Sequence, residues 1–157
     1  MTIRRRRLAK LYHLSWQDRW LLAESYVLLG LARLAINLVP LRRLAPWFGS
    51  QSQETPAEIT PANLHEAERI AWAVRTASHH TPWQSNCYPQ AFTAKLLLRR
   101  KQIPSTLYLG AALHPNTAGQ TVATPAMTAH AWLRCGPLYV TGGRGQDTYT
   151  VLAVFGA

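Results

Sequence analysis

Cys87 is the residue best placed for chemistry in this 157-residue chain. It lies just ahead of a helical run, Gln90 to Lys101, with Pro89 in the first turn, where its missing N–H costs nothing. A thiol at a helix start feels the positive end of the dipole and free N–H groups. Its pKa then falls below about 8.5, and the thiolate is the nucleophile. The plainer reading is a small buried apolar residue. His130 is the natural partner, an imidazole that takes the thiol proton and hands it to a leaving amine. Ala129 and Ala131 hold it in a short strand and leave room for substrate; the plainer reading is a surface histidine. His13, His65, His79, His80 and His114 fall in helices or loops, with His79-His80 the competitors near Cys87.

A third group should orient the imidazole. Asp147 is the only carboxylate after Glu68, so it is the expected third member. It lies beyond the residues that a hairpin turning at Cys135 to Pro137 sets opposite His130, namely Thr141 to Gly143. The glycines at 142, 143 and 145 would have to fold it back. The alternatives are a dyad, Asn86 or Gln84 as orienting or oxyanion donors, and a backbone carbonyl near Gly142. Two cysteines and scattered histidines never reach metal-ligand spacing, and Gly142-Gly143-Arg144-Gly145 lacks the ending of a phosphate loop. No metal or cofactor is expected. Cys135, in a turn beside Gly136, has a bland role.

The elements that must position these groups follow from pattern. Ser15 is a fitting N-cap, with Asp18 in the first turn. The apolar run from Trp20 to Val39 is a helix ended by Pro40. It has the length of a membrane span, but Glu24 and Arg33 interrupt it, and a charge near a span centre costs roughly 2.5–3.5 kcal/mol. A packed amphipathic helix is therefore expected. Residues 1–48 form a basic, Leu-rich helical region, 49–62 a polar linker and 63–157 the core. In that core Leu64 to His79 is a second helix. Strands follow at 105–111, 129–134, 138–141 and 149–155, with a loop at 114–125. Helices first and an antiparallel sheet after is an α+β order.

Composition sets the outer limits. A hydrophobic fraction of 48% and a charged fraction of 15% permit a packed core and exclude wholesale disorder. Two cysteines exclude a disulfide scaffold. No secretory signal is recognisable, so the cytoplasm is the expected compartment, with membrane association as the alternative. The net charge is +10, distributed as +7 over residues 1–50, −3 over 51–69 and +6 beyond. It favours an anionic partner without choosing nucleic acid, membrane or acidic peptide.

The blocks Ser85-Asn86-Cys87-Tyr88-Pro89-Gln90-Ala91, Leu97-Leu98-Arg99-Arg100 and Ile103 to Gly110 resemble the cysteine block of the lasso peptide biosynthesis leader peptidases, which are transglutaminase-like proteins. Ala129-His130-Ala131-Trp132-Leu133-Arg134, followed by Val140-Thr141-Gly142-Gly143, resembles their histidine block, 43 residues after the cysteine. The basic helix ending Val39-Pro40-Leu41-Arg42-Arg43-Leu44 also fits. The resemblance implies a transglutaminase-like/papain-like core with Cys87 as nucleophile and His130 as base. The family's Asp usually stands near the positions held here by Thr141-Gly142-Gly143, a departure that leaves Asp147 as substitute or the site as a dyad.

The resemblance also implies an activity. This would be a cysteine peptidase that removes the leader from a ribosomally made lasso precursor, freeing the core's N-terminal amine for macrolactam formation. The winged-helix-like module that captures the leader in some relatives is not recognisable. The implied partners are the leader peptide, a separate leader-binding protein and an ATP-dependent macrolactam synthetase. Residues 1–48 are the expected docking surface for that protein or for a membrane. The alternatives are an acyl transferase with the same dyad, or a non-enzymatic basic module for membrane or nucleic acid. Nucleic acid is not expected, because the aromatics do not interleave with Lys/Arg as a stacking surface requires.

Overall fold

The computed structural model describes residues 14–114 and 126–157. The Arg4–Arg7 run, His13 and the loop at 115–125 lie outside the described residues. Helix α1 spans Trp16–Leu38, capped by the Ser15 hydroxyl, which accepts from the Asp18 N–H at 3.1 Å. Leu21, Ser25, Leu29 and Ala32 form its buried face. A single turn, α2, covers Leu41–Leu44, and a 3-10 turn covers Ala45–Trp47. Helix α3 runs Pro61–Ser78, three residues earlier than expected, because Thr60 caps the Asn63 N–H and Pro61 suits the first position. Helix α4 is Cys87–Arg100.

The strands are β1 Ser50–Gln51, β2 Thr106–His114, β3 Ala126–Cys135, β4 Leu138–Thr141 and β5 Thr150–Gly156. They form one antiparallel sheet in the order β1-β5-β2-β3-β4. Together with the helices they make the expected α+β fold. On β3, Ala131, Leu133 and Cys135 are fully buried and share one core with Leu29, Ile70, Val74 and Leu98. Strand alternation therefore turns His130, Trp132 and Arg134 to the other face.

Two features tie the first 62 residues to the rest of the chain. Helix α1 packs on α3 and α4, and its core residues belong to the common core. Asp18 pairs with Arg69 at 2.7 Å, and Glu24 pairs with Arg100. The segment 49–62 lies along the sheet. Ser50 and Gln51 pair with β5, the Thr55 N–H donates to the Thr106 hydroxyl at 2.9 Å, and Arg134 donates to the Thr55 carbonyl at 2.9 Å. Main-chain pairing needs no apolar side chains, so a polar composition concealed it.

Lys95 is fully buried on α4. Its ammonium donates to the Ser105 carbonyl at 2.6 Å, to the Ser105 hydroxyl at 3.2 Å and to the Ala157 carbonyl at 3.4 Å. Burial, and secondarily the Arg99 charge, push its pKa down to about 8. Folded Lys95 thus binds protons less well than in the unfolded chain. Its destabilising contribution is complete below about pH 8 and is lost as pH rises toward about 10.4. Ser105 and Ala157 also exchange main-chain hydrogen bonds at 2.8 and 3.3 Å, so both carbonyls keep a partner without the lysine. Lys95→Met should therefore leave the urea midpoint at neutral pH unchanged or higher and remove the alkaline rise in stability. A loss above about 2 kcal/mol at neutral pH would mean that the ammonium holds the chain end in place.

Candidate active site

Cys87 is the first residue of α4 rather than a residue ahead of it, and its side chain is half-buried. Asn86 is the N-cap, but its side chain makes no capping bond. The first intrahelical donor is the Gln90 N–H, to the Asn86 carbonyl at 3.3 Å, and Pro89 has no N–H. The N–H groups of Cys87 and Tyr88 consequently have no acceptor among the described residues. A helix start with unspent donors beside a thiol is suited to hold an oxyanion formed at that thiol. Tyr88 is raised above the usual phenol range, first by burial and then by the neighbouring Cys87 charge.

The approach to this helix start is pinned. The Gln90 side-chain amide donates to the Ser85 carbonyl at 2.7 Å, and the Ser85 and Thr81 hydroxyls are 2.8 Å apart. Trp83 packs against Tyr26 of α1, with ring centroids 5.3 Å apart. Gly30 gives this ring its room, since a Cβ there would come within 3.1 Å of it. Gln84 and Asn86 are exposed. His79 and His80 are exposed at the end of α3, where the His80 Nδ1–H donates to the Thr76 carbonyl at 2.8 Å.

His130 is half-buried, and its ring stacks on two aromatic side chains. Trp132 stacks at 5.7 Å and Tyr149 at 4.8 Å between centroids, and Trp132 stacks in turn on Tyr108 at 5.5 Å. Gly110, opposite His130 in the β2–β3 register, has no side chain because a Cβ would lie 2.9 Å from the Trp132 ring. The His130 Nε2–H donates to the Gly142 carbonyl at 2.8 Å. A carbonyl only accepts, so the neutral ring carries its lone pair on Nδ1.

Gly142 has φ +66°, and a Cβ there would lie 2.3 Å from the Ala131 carbonyl oxygen. No side chain fits that position in this conformation, so the ring's partner at this point is a main-chain oxygen. Asp147 is exposed on the 3-10 turn Gln146–Thr148 and makes no hydrogen bond or ion pair among the described residues. Trp132, Tyr149 and Gly110 escaped the sequence reading. Trp132 could have been found from strand alternation, but Tyr149 reaches the ring only through the tertiary path of the 142–149 loop.

Lys95 meets the start of β2 at Ser105, and α4 packs on β3 and β4. β4 pairs β3 only from Leu133 onward, so among the described residues no strand lies beside Ala126–Trp132 on that edge. No hydrogen bond joins the Cys87 thiol to the His130 ring among the described residues, and the ring lies on the sheet face turned from α4. Cys135 is buried, donates to the Pro104 carbonyl at 3.3 Å, and has its thiol pushed up by burial, as an inert structural cysteine does.

The fold is thus a mixed α+β domain that carries a cysteine on the first turn of a packed helix and a histidine on a neighbouring strand. Residues 35–154 match the transglutaminase-like superfamily, and the chain belongs to it. Comparisons with curated proteins and with solved structures gave no match. Membership fits a cysteine peptidase or an acyltransferase in general.

Proposed function

We propose that this chain is a cysteine peptidase that removes the leader from a ribosomally made lasso peptide precursor. The observation that supports it most is the Cys87 thiol on the first turn of α4, beside the unspent N–H groups of Cys87 and Tyr88. In this reading His130 Nδ1 takes the thiol proton, and the thiolate attacks the carbonyl of the leader's last residue. The two N–H groups bind the tetrahedral oxyanion. The imidazolium then protonates the leaving amine, which departs as the N-terminus of the core peptide. Water, deprotonated by Nδ1, hydrolyses the thioester to a carboxylic acid and restores the thiol. The freed amine is what an ATP-dependent macrolactam synthetase requires. In this reading peptide binding has to bring the thiol and the ring, which share no hydrogen bond among the described residues, within reach of one another.

The Gly142 carbonyl orients the ring in this scheme, and Asp147 does not take part. Asp147→Asn should lower the cleavage rate less than about tenfold, under roughly 1.4 kcal/mol of barrier. A larger loss, with the fold intact by circular dichroism, would put Asp147 back in the site.

A small site of this kind does not by itself select one short peptide, so a separate leader-binding protein supplies selectivity by tethering. A short flexible connection gives millimolar effective concentration. The test is mass spectrometry of precursor incubated with the chain alone and with that partner. Cleavage slow alone and strongly accelerated by the partner supports the proposal. Efficient selective cleavage by the chain alone removes the partner from it, and no cleavage under either condition overturns the peptidase. Product mass also separates hydrolysis from acyl transfer to an amine.

A further inference from the structure

The outward side of α1 carries an apolar stripe that no part of the described chain covers. Trp16, Trp20, Val27, Leu31, Leu34 and Leu38 are 55–77% exposed. At about 100° per residue they fall within about 60° of the helix circumference, opposite the buried Leu21, Leu29 and Ala32. No charged residue interrupts the stripe. Its first end is a stacked tryptophan pair, Trp16 and Trp20, and beyond its last end stand exposed Leu41 and Trp47. Trp47 also borders a groove of about 660 Å³ that runs past Leu28 to Arg99 and Arg100.

Near the stripe, the charges that make no ion pair among the described residues are positive. Both acids of α1 are already paired, Asp18 with Arg69 and Glu24 with Arg100. Arg42 and Arg43, exposed just past the helix end, make no ion pair among the described residues. In sequence, Arg4 to Arg7 precede the helix. A second copy would set like charge against like, with +7 on residues 1–50 of each chain. A bilayer with anionic lipids satisfies both features, taking the apolar ridge between acyl chains and the arginines at the headgroups, with tryptophans at the interface. The opposite face of α1 is committed to the core through Leu21 and Leu29, so the helix lies in the interface and does not cross it.

We infer that α1 docks this protein on anionic lipid membranes through the stripe from Trp16 to Leu38, assisted by Arg42 and Arg43. This is independent of the proposed peptidase activity, and Cys87→Ala should bind as the wild type does. The experiment is flotation of the full chain with phosphatidylcholine vesicles, with and without about one-third phosphatidylglycerol, alongside tryptophan fluorescence. Binding and a blue shift are expected with the anionic vesicles. The double variant Val27→Glu/Leu34→Glu, both sites exposed and outside the core, should lower partitioning at least about tenfold while circular dichroism stays native. Equal binding by the double variant would mean charge alone is responsible and would overturn the inference. So would failure of the wild type to float, or a salt-stable dimer that the double variant dissociates and that ignores vesicles.

Discussion

Cys87→Ala should abolish leader removal, with a fall in rate on the order of 10⁴-fold or more, to the level left by binding and oxyanion donors alone. The size of the effect follows from chemistry that no neighbour can supply. Cys135 is the only other thiol in the chain, and it is buried with its proton held toward the Pro104 carbonyl. Folding should be nearly untouched. Position 87 is half-buried, alanine is the best helix former, and the change at a first helical position is within about 1 kcal/mol. The two readouts are precursor mass against time and the urea midpoint. Cleavage at a normal rate by Cys87→Ala would end the cysteine mechanism. Loss of cleavage together with a collapsed midpoint would show instead that the thiol is structural. Cys87→Ser sharpens the comparison, since it keeps a small polar side chain at the helix start but offers a far poorer nucleophile at neutral pH.

Much of what positions this site is written locally. Ser15 with Asp18, Thr60 with Pro61, and Asn86 with Pro89 mark the helix starts within a residue or three. Alternation of Ala131 and Leu133 with His130 and Trp132 marks β3 as a strand with two unlike faces. The strap from Ser50 to Ile59 was not legible, because Ser50, Gln51 and Thr55 are held by main-chain and hydroxyl bonds rather than by apolar burial. The main-chain contact at the ring was hidden for a related reason. A search for carboxylates finds Asp147, whereas the oxygen at the ring belongs to a main chain that only a glycine allows to approach so closely. The left-handed φ of Gly142 is the one trace of this, and a glycine among Gly142, Gly143 and Gly145 does not declare which of them is so used.

His130→Ala should be nearly as damaging as loss of the thiol, about 10²–10⁴-fold in rate, because one group accepts the thiol proton and returns it to the leaving amine. Alanine alone cannot separate that role from packing. The ring stacks on Trp132 and on Tyr149, contacts worth about 0.5–1.5 kcal/mol each beyond burial. His130→Phe keeps an aromatic ring in the stack and removes both nitrogens. It also leaves the Gly142 carbonyl without its donor, at a cost of about 1 kcal/mol. Stability should therefore recover most of what alanine loses, while cleavage stays at the alanine level. The pH dependence of thiol alkylation supplies a readout that packing would not move. In His130→Phe the profile should change shape, because no ring nitrogen is left to share the thiol proton. The Gly142 carbonyl is neutral, so it fixes the ring's tautomer without the charge a carboxylate would add to stabilise an imidazolium. An alkylation profile identical in wild type and His130→Phe would remove the histidine from the site, and His79→Ala and His80→Ala would then be the next variants to measure.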